Sequence, residues 1–345
     1  MRLLLTADPM IPVPPVGYGG IERIVDALLR HYRAAGHTVG LVAHPDSEAD
    51  VNARFAWPGA SPTGRLDTLR NALALRRAVR AFQPDVLHSF SRLAYVLPLL
   101  PSRLPKIMSY QRHTGPRQIR WAARLGGDAI HFTGCSEFIC GMGRPGGGHW
   151  TAIPNFAEIE KIDFVPAVSA DAPLVFLSRV EAMKGPDLAI AVARATGRRL
   201  LIAGNRASSG PQFDFWKREI APHLGRDGIE YVGEVNDAQK NAVLGQAAAM
   251  IVPIQWDEPF GIVFAESLAA GTPIITCARG ALPEIVREGR TGFFMRTFAD
   301  GVQAVGRLGE IDRAACRRDA VERFSLAECA ARYLELYTAM SGTRP

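Results

Sequence analysis

Residues 255–273, QWDEPFGIVFAESLAAGTP, set two glutamates, Glu258 and Glu266, eight positions apart around an apolar run. The segment before them, AAMIVPI (248–254), has the length and composition of a buried strand, and the segment from Gly261 onward reads as a helix. Glu258 therefore falls in a post-strand loop, Gly261 lets the backbone come close to a ligand, and Glu266 lies one to two turns into the helix. The free N–H groups of a helix's first turn attract anions. Two carboxylates flanking such a turn suit hydroxyls on a molecule that joins sugar, diphosphate and ribose. The plainer reading is a core helix carrying an ordinary surface glutamate.

Working outward, the strand-then-helix unit repeats. RLLLTA (2–7), TVGLVAH (38–44), DVLHSF (85–90), KIMSYQ (106–111) and AIHFTGCS (129–136) read as strands, and GIERIVDALLRHYRAAG (20–36) reads as the first helix. The pattern restarts with APLVFLSRV (172–180), RLLIAGN (199–205), IEYVGEV (229–235), AAMIVPI and TPIITCA (272–278). Strands separated by helices predict the α/β class, with parallel sheets covered on both faces. A chain of 345 residues exceeds what one core usually serves. Two domains are expected, at 1–165 and 166–322, with 323–345 as a C-terminal helix packing back toward the first. The Pro- and Ala-rich stretch at 158–172 is the expected linker.

Composition narrows the class. A hydrophobic share of 48% and a charged share of 21% are those of a globular protein, and no apolar run approaches a spanning helix. MRLLLTADPM reads as a first strand rather than a leader. The five cysteines are odd in number and lack CxxC spacing, which suggests neither a disulfide framework nor a zinc site and fits a reducing cytoplasm. The net charge of +6 is unevenly spread: residues 1–165 hold 19 Lys and Arg against 13 Asp and Glu, leaving 21 against 21. Solvated helix faces such as LRNALALRRAVRAF (69–82) account for this excess, and so does an anionic partner or membrane surface. Nucleic acid is disfavoured, because the basic residues are not interleaved with aromatics.

Open α/β sheets bind ligands beyond the carboxyl ends of their strands, so the chemistry belongs in post-strand loops. PPVGYGGIER (14–23) leads Gly19 and Gly20 into a helix; it serves as a plain turn or as an anion-binding one, and it is not GxGxxG. LSRVEAMKGPDLAI (177–190) places Arg179 and Lys184 in one loop. They are solvated cations or a diphosphate clamp, the arginine as a fork and the lysine as a point charge.

These stretches, in this order and spacing, resemble the retaining GT-B glycosyltransferases of family 4. The resemblance runs over nearly the whole chain: GGIER, PDVLH, CSEF, IPNF, SRVEAMKG, the E-x7-E stretch EPFGIVFAE, AAGTPII and ALPEIVREGRTGFF. It implies a GT-B fold of two Rossmann-like domains facing across a cleft. The implied reaction is transfer of a hexose from a UDP- or GDP-sugar to an acceptor hydroxyl with retention, in polysaccharide, glycolipid or glycoconjugate synthesis, without a resident cofactor or metal. It further implies that Arg179 and Lys184 bind the donor diphosphate, Glu258 lies beside the transferred sugar and Glu266 holds the ribose. The backbone of Phe260, Gly261 and Ile262 would contact sugar and phosphate, Val235 would join the donor contacts, and Gly19 and Gly20 would close over the phosphate. The acceptor is a glycan, a glycolipid or a small molecule, and the basic first half offers peripheral contact with the inner face of a membrane.

Three departures stand out. Ser178 replaces the usual Gly before the arginine, and Asn155–Phe156 replaces Asn-Gly. More consequentially, the strand KIMSYQRH ends where the family carries a histidine near the reacting sugar. Strand register gives that position to Gln111, donating an amide hydrogen bond; a shifted loop gives it to His113. His88 reads as a satisfied strand-end histidine. A sugar-nucleotide epimerase of the same fold and a non-catalytic sugar-nucleotide binder are the rival readings, and the intact Arg, Lys and Glu set favours transfer.

Overall fold

The computed structural model describes residues 1–17, 19–61 and 64–342. Seven parallel strands build the first sheet: β1 (Arg2–Thr6), β2 (Thr38–Ala43), β3 (Ala53–Ala56), β4 (Val86–Ser89), β5 (Lys106–Tyr110), β6 (Ile130–Gly134) and β7 (His149–Ala152), in the order β3-β2-β1-β4-β5-β6-β7. They are joined through α1 (Gly20–Ala34), α2 (Arg65–Phe82), α3 (Leu93–Val96), α4 (Pro116–Gly126) and α5 (Glu137–Gly143). The two-residue alternation of strand side chains sorts the core. Leu4, Val42, Leu87, Met108 and Phe132 point to one face, where they meet Leu75 and Phe82 of α2, Tyr95 of α3 and Ile119 of α4.

Six parallel strands form the second sheet: β8 (Leu174–Leu177), β9 (Leu200–Ala203), β10 (Ile229–Gly233), β11 (Ala249–Val252), β12 (Ile274–Thr276) and β13 (Gly292–Phe294), ordered β10-β9-β8-β11-β12-β13. Its helices are α6 (Pro186–Ala195), α7 (Gly210–Phe215), α8 (Asp237–Gln246), α9 (Ile262–Ala269), α10 (Leu282–Ile285), α11 (Phe298–Gly306) and α12 (Arg313–Phe324). Capping boxes start two of them, Asn236 with Gln239 at α8 and Thr297 with Asp300 at α11. The strands read from sequence are all present. Three more, β3, β7 and β13, were not expected; each is an edge strand of only three or four residues.

The chain divides into Met1–Phe156 with Leu326–Pro345, and Ala157–Ser325. The stretch at 158–172 is tied to the second unit, where Ile159 and Ile162 are buried and Arg317 donates to both of their carbonyls. Arg313 likewise donates to the carbonyls of Val165, Ala247 and Gly245. The last helix, α13 (Leu326–Ser341), belongs to the first unit. Its Tyr337 hydroxyl lies 2.5 Å from Nδ1 of His88, whose Nε2 lies 2.6 Å from the Ser109 hydroxyl. With both nitrogens engaged and the ring enclosed, burial lowers His88 to about 3, so it is a neutral core histidine.

Candidate active site

In the second unit the loops after β8 and β11, which are neighbouring strands, carry the charged residues of interest. After β8 the chain makes one turn of 3-10 helix, Ala182–Lys184, that sinks Lys184 to 8% exposure. Lys184 Nζ donates to Glu258 Oε2 at 2.5 Å across a separation of 74 residues, and the Trp256 indole N–H donates to the same oxygen at 3.0 Å. The ammonium also stands 5.0 Å from the centre of the Trp256 ring. Arg179 donates to Glu181 of its own loop.

Glycines hold Glu258 in place. Gly261 takes φ +81° as it enters α9, and a Cβ there would lie 2.6 Å from Phe264. Gly280, at φ +58°, packs flat on the backbone of Glu258, whose carbonyl would be 2.3 Å from any Cβ. Ala281 N–H donates to that carbonyl at 2.8 Å. Phe260 turns its ring inward, edge-on to Phe324, and the residue is 2% exposed. Ile262 opens α9, and no side chain caps the amides of that first turn.

Glu266 sits further along α9 and is also paired. Lys240 Nζ of α8 donates to its Oε1 at 2.5 Å and lies 3.2 Å from Asp237. Burial pulls the Lys240 ammonium down, but the two carboxylates outweigh it and hold it above the ordinary lysine value. Val235 is half-buried between β10 and the cap of α8. The second unit thus bonds Lys184 to Glu258 directly, while Arg179 and Glu266 each have a separate partner. Glu181, Lys240, Trp256 and Gly280 escaped the sequence reading; only the local pairs Arg179–Glu181 and Trp256–Glu258, each two residues apart, had a signal there.

Gly19, Gly20, Gln111 and His113 belong to the first unit. Gly19 and Gly20 begin α1. Gln111 follows β5 directly, and both atoms of its amide are buried without a hydrogen-bond partner among the described residues. His113 is exposed, its ring edge-on to Phe138 at 5.8 Å. Asp8 Oδ1 past β1 and Arg92 Nη1 past β4 are likewise buried and unpartnered. Burial raises the Asp8 carboxyl, against the pull of Arg112 and Arg92. Burial also raises Glu22 in the first turn of α1, which Asp8 pushes up further. The strands β1, β4 and β5 are adjacent, so these groups share one edge of the sheet. A surface hollow lined by Arg194, Arg199 and Asp227 lies instead at the amino end of β9, the wrong end for ligands of such sheets. Among the described residues no three His, Cys, Asp or Glu side chains converge as a metal site would need.

Two doubly wound parallel sheets, with a lysine-bound E-x7-E pair past the strands of the second, define the GT-B class. The Glycosyltransferase Family 4 model matches residues 18–159 and the Glycosyl transferases group 1 model matches 158–305. Glycogen synthase of Mycobacterium tuberculosis is 28% identical over 85% of this chain and 81% of its own. Among solved structures, a glycosyltransferase involved in avilamycin A biosynthesis shares 26% identity at a TM-score of 0.74, covering 99% of this chain and 98% of that one. Anabaena HepE, solved with UDP and glucose, shares the fold at a TM-score of 0.72 and 18% identity, covering 98% and 100%. The chain belongs to family 4 of the GT-B glycosyltransferases.

Proposed function

We propose that this glycosyltransferase moves a hexose from a UDP- or GDP-sugar to an acceptor hydroxyl with retention of anomeric configuration, in polysaccharide, glycolipid or glycoconjugate assembly. The observation that carries the reading is the buried Lys184–Glu258 pair beside the uncapped first turn of α9. Lys184 and Arg179 are the cations for the donor diphosphate, and each is paired with a carboxylate. The diphosphate takes over as counter-ion, and the return of Glu258 keeps the buried Lys184 ammonium from being left desolvated and unpaired when the donor leaves. Both hydrogen bonds to Glu258 fall on Oε2, which leaves Oε1 for a hydroxyl of the transferred sugar. Glu266, held through Oε1 by Lys240, presents Oε2 to the ribose. The amides opening α9, with Gly261 and Ile262, take phosphate oxygens. In the first unit, Gly19 and Gly20 are the glycines assigned to the phosphate and Gln111 is the residue assigned to the reacting sugar.

Transfer on one face of the sugar passes through an oxocarbenium-like state in which the departing diphosphate takes the acceptor proton. The protein supplies positioning and charge stabilisation. Arg179 and Lys184 bear the charge that grows on the leaving group. The acceptor side includes peripheral contact with a membrane through the basic first unit. The test is incubation with a panel of UDP-, GDP- and ADP-sugars, following nucleoside diphosphate release and reading the product's anomeric coupling by NMR. A product of inverted configuration overturns retention, and donor binding without turnover under any acceptor overturns transfer in favour of a binding protein.

A further inference from the structure

The membrane contact included in that reading has a specific surface. α2, the short α3 and α4 pack their inner sides into one core on the same face of the first sheet, so their outer sides form a single layer. Among the described residues thirteen large hydrophobic side chains are exposed, and six belong to this layer: Leu66, Leu69 and Leu73 on α2, Leu97 just past α3, and Trp121 and Leu125 on α4. They are not scattered. Leu66, Leu69 and Leu73 follow helical spacing along the outward side of α2, and Trp121 and Leu125 are one turn apart on α4, at 66% and 52% exposure. A concentration of this kind on one surface marks a binding face.

The charges on the same layer identify the occupant. Arg77 and Arg80 continue the leucine stripe of α2, and Arg117 precedes Trp121 by one turn on α4, with Arg120 and Arg124 beside it; all five are exposed. α4 contains no acidic residue, and the one acid of α2, Asp67, is turned toward the Ser61 amide. Divided at the observed boundary, the first unit holds 20 Lys and Arg against 12 Asp and Glu and the second 20 against 22, so the positive excess lies wholly in the unit that carries this layer. A second copy meeting the layer face to face would oppose arginine to arginine. An apolar stripe set among arginines instead matches an anionic bilayer: the leucines and the indole enter the headgroup boundary while the guanidiniums reach lipid phosphates. Among the described residues no helix is long and apolar enough to cross a membrane.

We propose that the outer layer formed by α2, α3 and α4 docks the protein on an anionic lipid surface, with Trp121 and Leu125 entering the interface. The experiment sediments the full chain with vesicles of phosphatidylcholine alone and with vesicles of equal parts phosphatidylcholine and phosphatidylglycerol, at low and high salt. Binding to the anionic vesicles alone, weakened by salt, is expected. Trp121→Ala with Leu125→Ala, which leaves charge unchanged, should reduce that partition about tenfold, and Arg120→Gln with Arg124→Gln should do at least as much. Trp121→Phe should keep binding while losing quenching by brominated lipid. No binding at low salt overturns the proposal, as does binding that the Trp121 and Leu125 changes leave intact. A concentration-dependent dimer broken by the same changes overturns it in favour of a second copy. Diphosphate release from a soluble donor should be the same in all these variants, so failure of the transfer reading and failure of the docking surface show up in different measurements.

Discussion

In the second unit the charged groups past the strand ends come in pairs, Lys184 with Glu258, Lys240 with Glu266 and Arg179 with Glu181. In the first unit the corresponding edge leaves Asp8 Oδ1, Arg92 Nη1 and both amide atoms of Gln111 buried with no hydrogen-bond partner among the described residues. The difference is one of preorganisation. Paired ions keep a site stable whether or not a ligand is bound, and suit a ligand of fixed charge that every turnover repeats. Unpaired buried polar groups are costly to maintain and are rare enough in native proteins to need a reason. On the proposed function, those atoms meet substrate hydroxyls and the paired ions of the second unit meet the donor.

The largest effect that could break this contrast is at Lys184. Lys184→Met leaves the Glu258 carboxylate, with its side chain 11% exposed, without its cation, and should destabilise the second unit by roughly 3–5 kcal/mol in denaturant unfolding. Adding Glu258→Leu should restore most of the stability and none of the transfer. An unchanged unfolding midpoint in the single variant would show that the pair is not what holds the loop.

Acid should separate the two units next. His88 has a folded-state pKa depressed to about 3, well below its ordinary value, so between the two the unfolded chain binds the extra proton. Its contribution is therefore complete at neutral pH and is lost as pH falls from the ordinary histidine value toward about 3, to the extent of a few kcal/mol, about the linkage expected for a shift of this size. Urea midpoints over that range should fall more steeply for the natural chain than for His88→Asn, in the transition that reports on the first unit. Parallel slopes would mean the ring is solvated.

Within the second unit, Glu266→Ala should weaken calorimetric binding of free nucleoside diphosphate by about 1.5–3 kcal/mol, the worth of a charge-assisted hydrogen bond. Glu258→Ala should chiefly lower turnover. The reverse outcome would exchange the sugar and ribose roles.

The smallest expected stability change is at Gln111. Its amide is buried with no hydrogen-bond partner among the described residues to lose, so Gln111→Ala removes an uncompensated desolvation and should not lower stability, while slowing transfer roughly tenfold, the worth of one hydrogen bond. His113→Ala should change neither. A variant of His113 that loses transfer while Gln111→Ala retains it would hand the strand-end position to the histidine.

The stretch at 255–273 and its repeats made the strand and helix alternation readable, because buried parallel strands need continuous apolar runs and covering helices need one apolar side. Ten of the thirteen strands were readable in this way, and β3, β7 and β13 were passed over because each is an edge strand of only three or four residues. It also reached Glu258, Glu266, Arg179 and Lys184, each marked by a charge in a post-strand loop or early helix.

The class of fold and the residue types standing at the strand ends follow from local periodicity and turn chemistry, and both are legible along the chain. Which of those residues touch was decided only by tertiary structure. The Lys184–Glu258 bond spans 74 residues, the Lys240–Glu266 bond spans 26, and Gly280 reaches Glu258 only because β11 and β12 are neighbours in the sheet. The same holds for the exposed leucines, tryptophan and arginines of α2 and α4. Their helical spacing is in the chain, but that they share one face follows from the sheet that collects the helices' inner sides into one core. Pairing of this kind has no sequence period, because it depends on strand order, and strand order is set by how the whole apolar surface is buried at once.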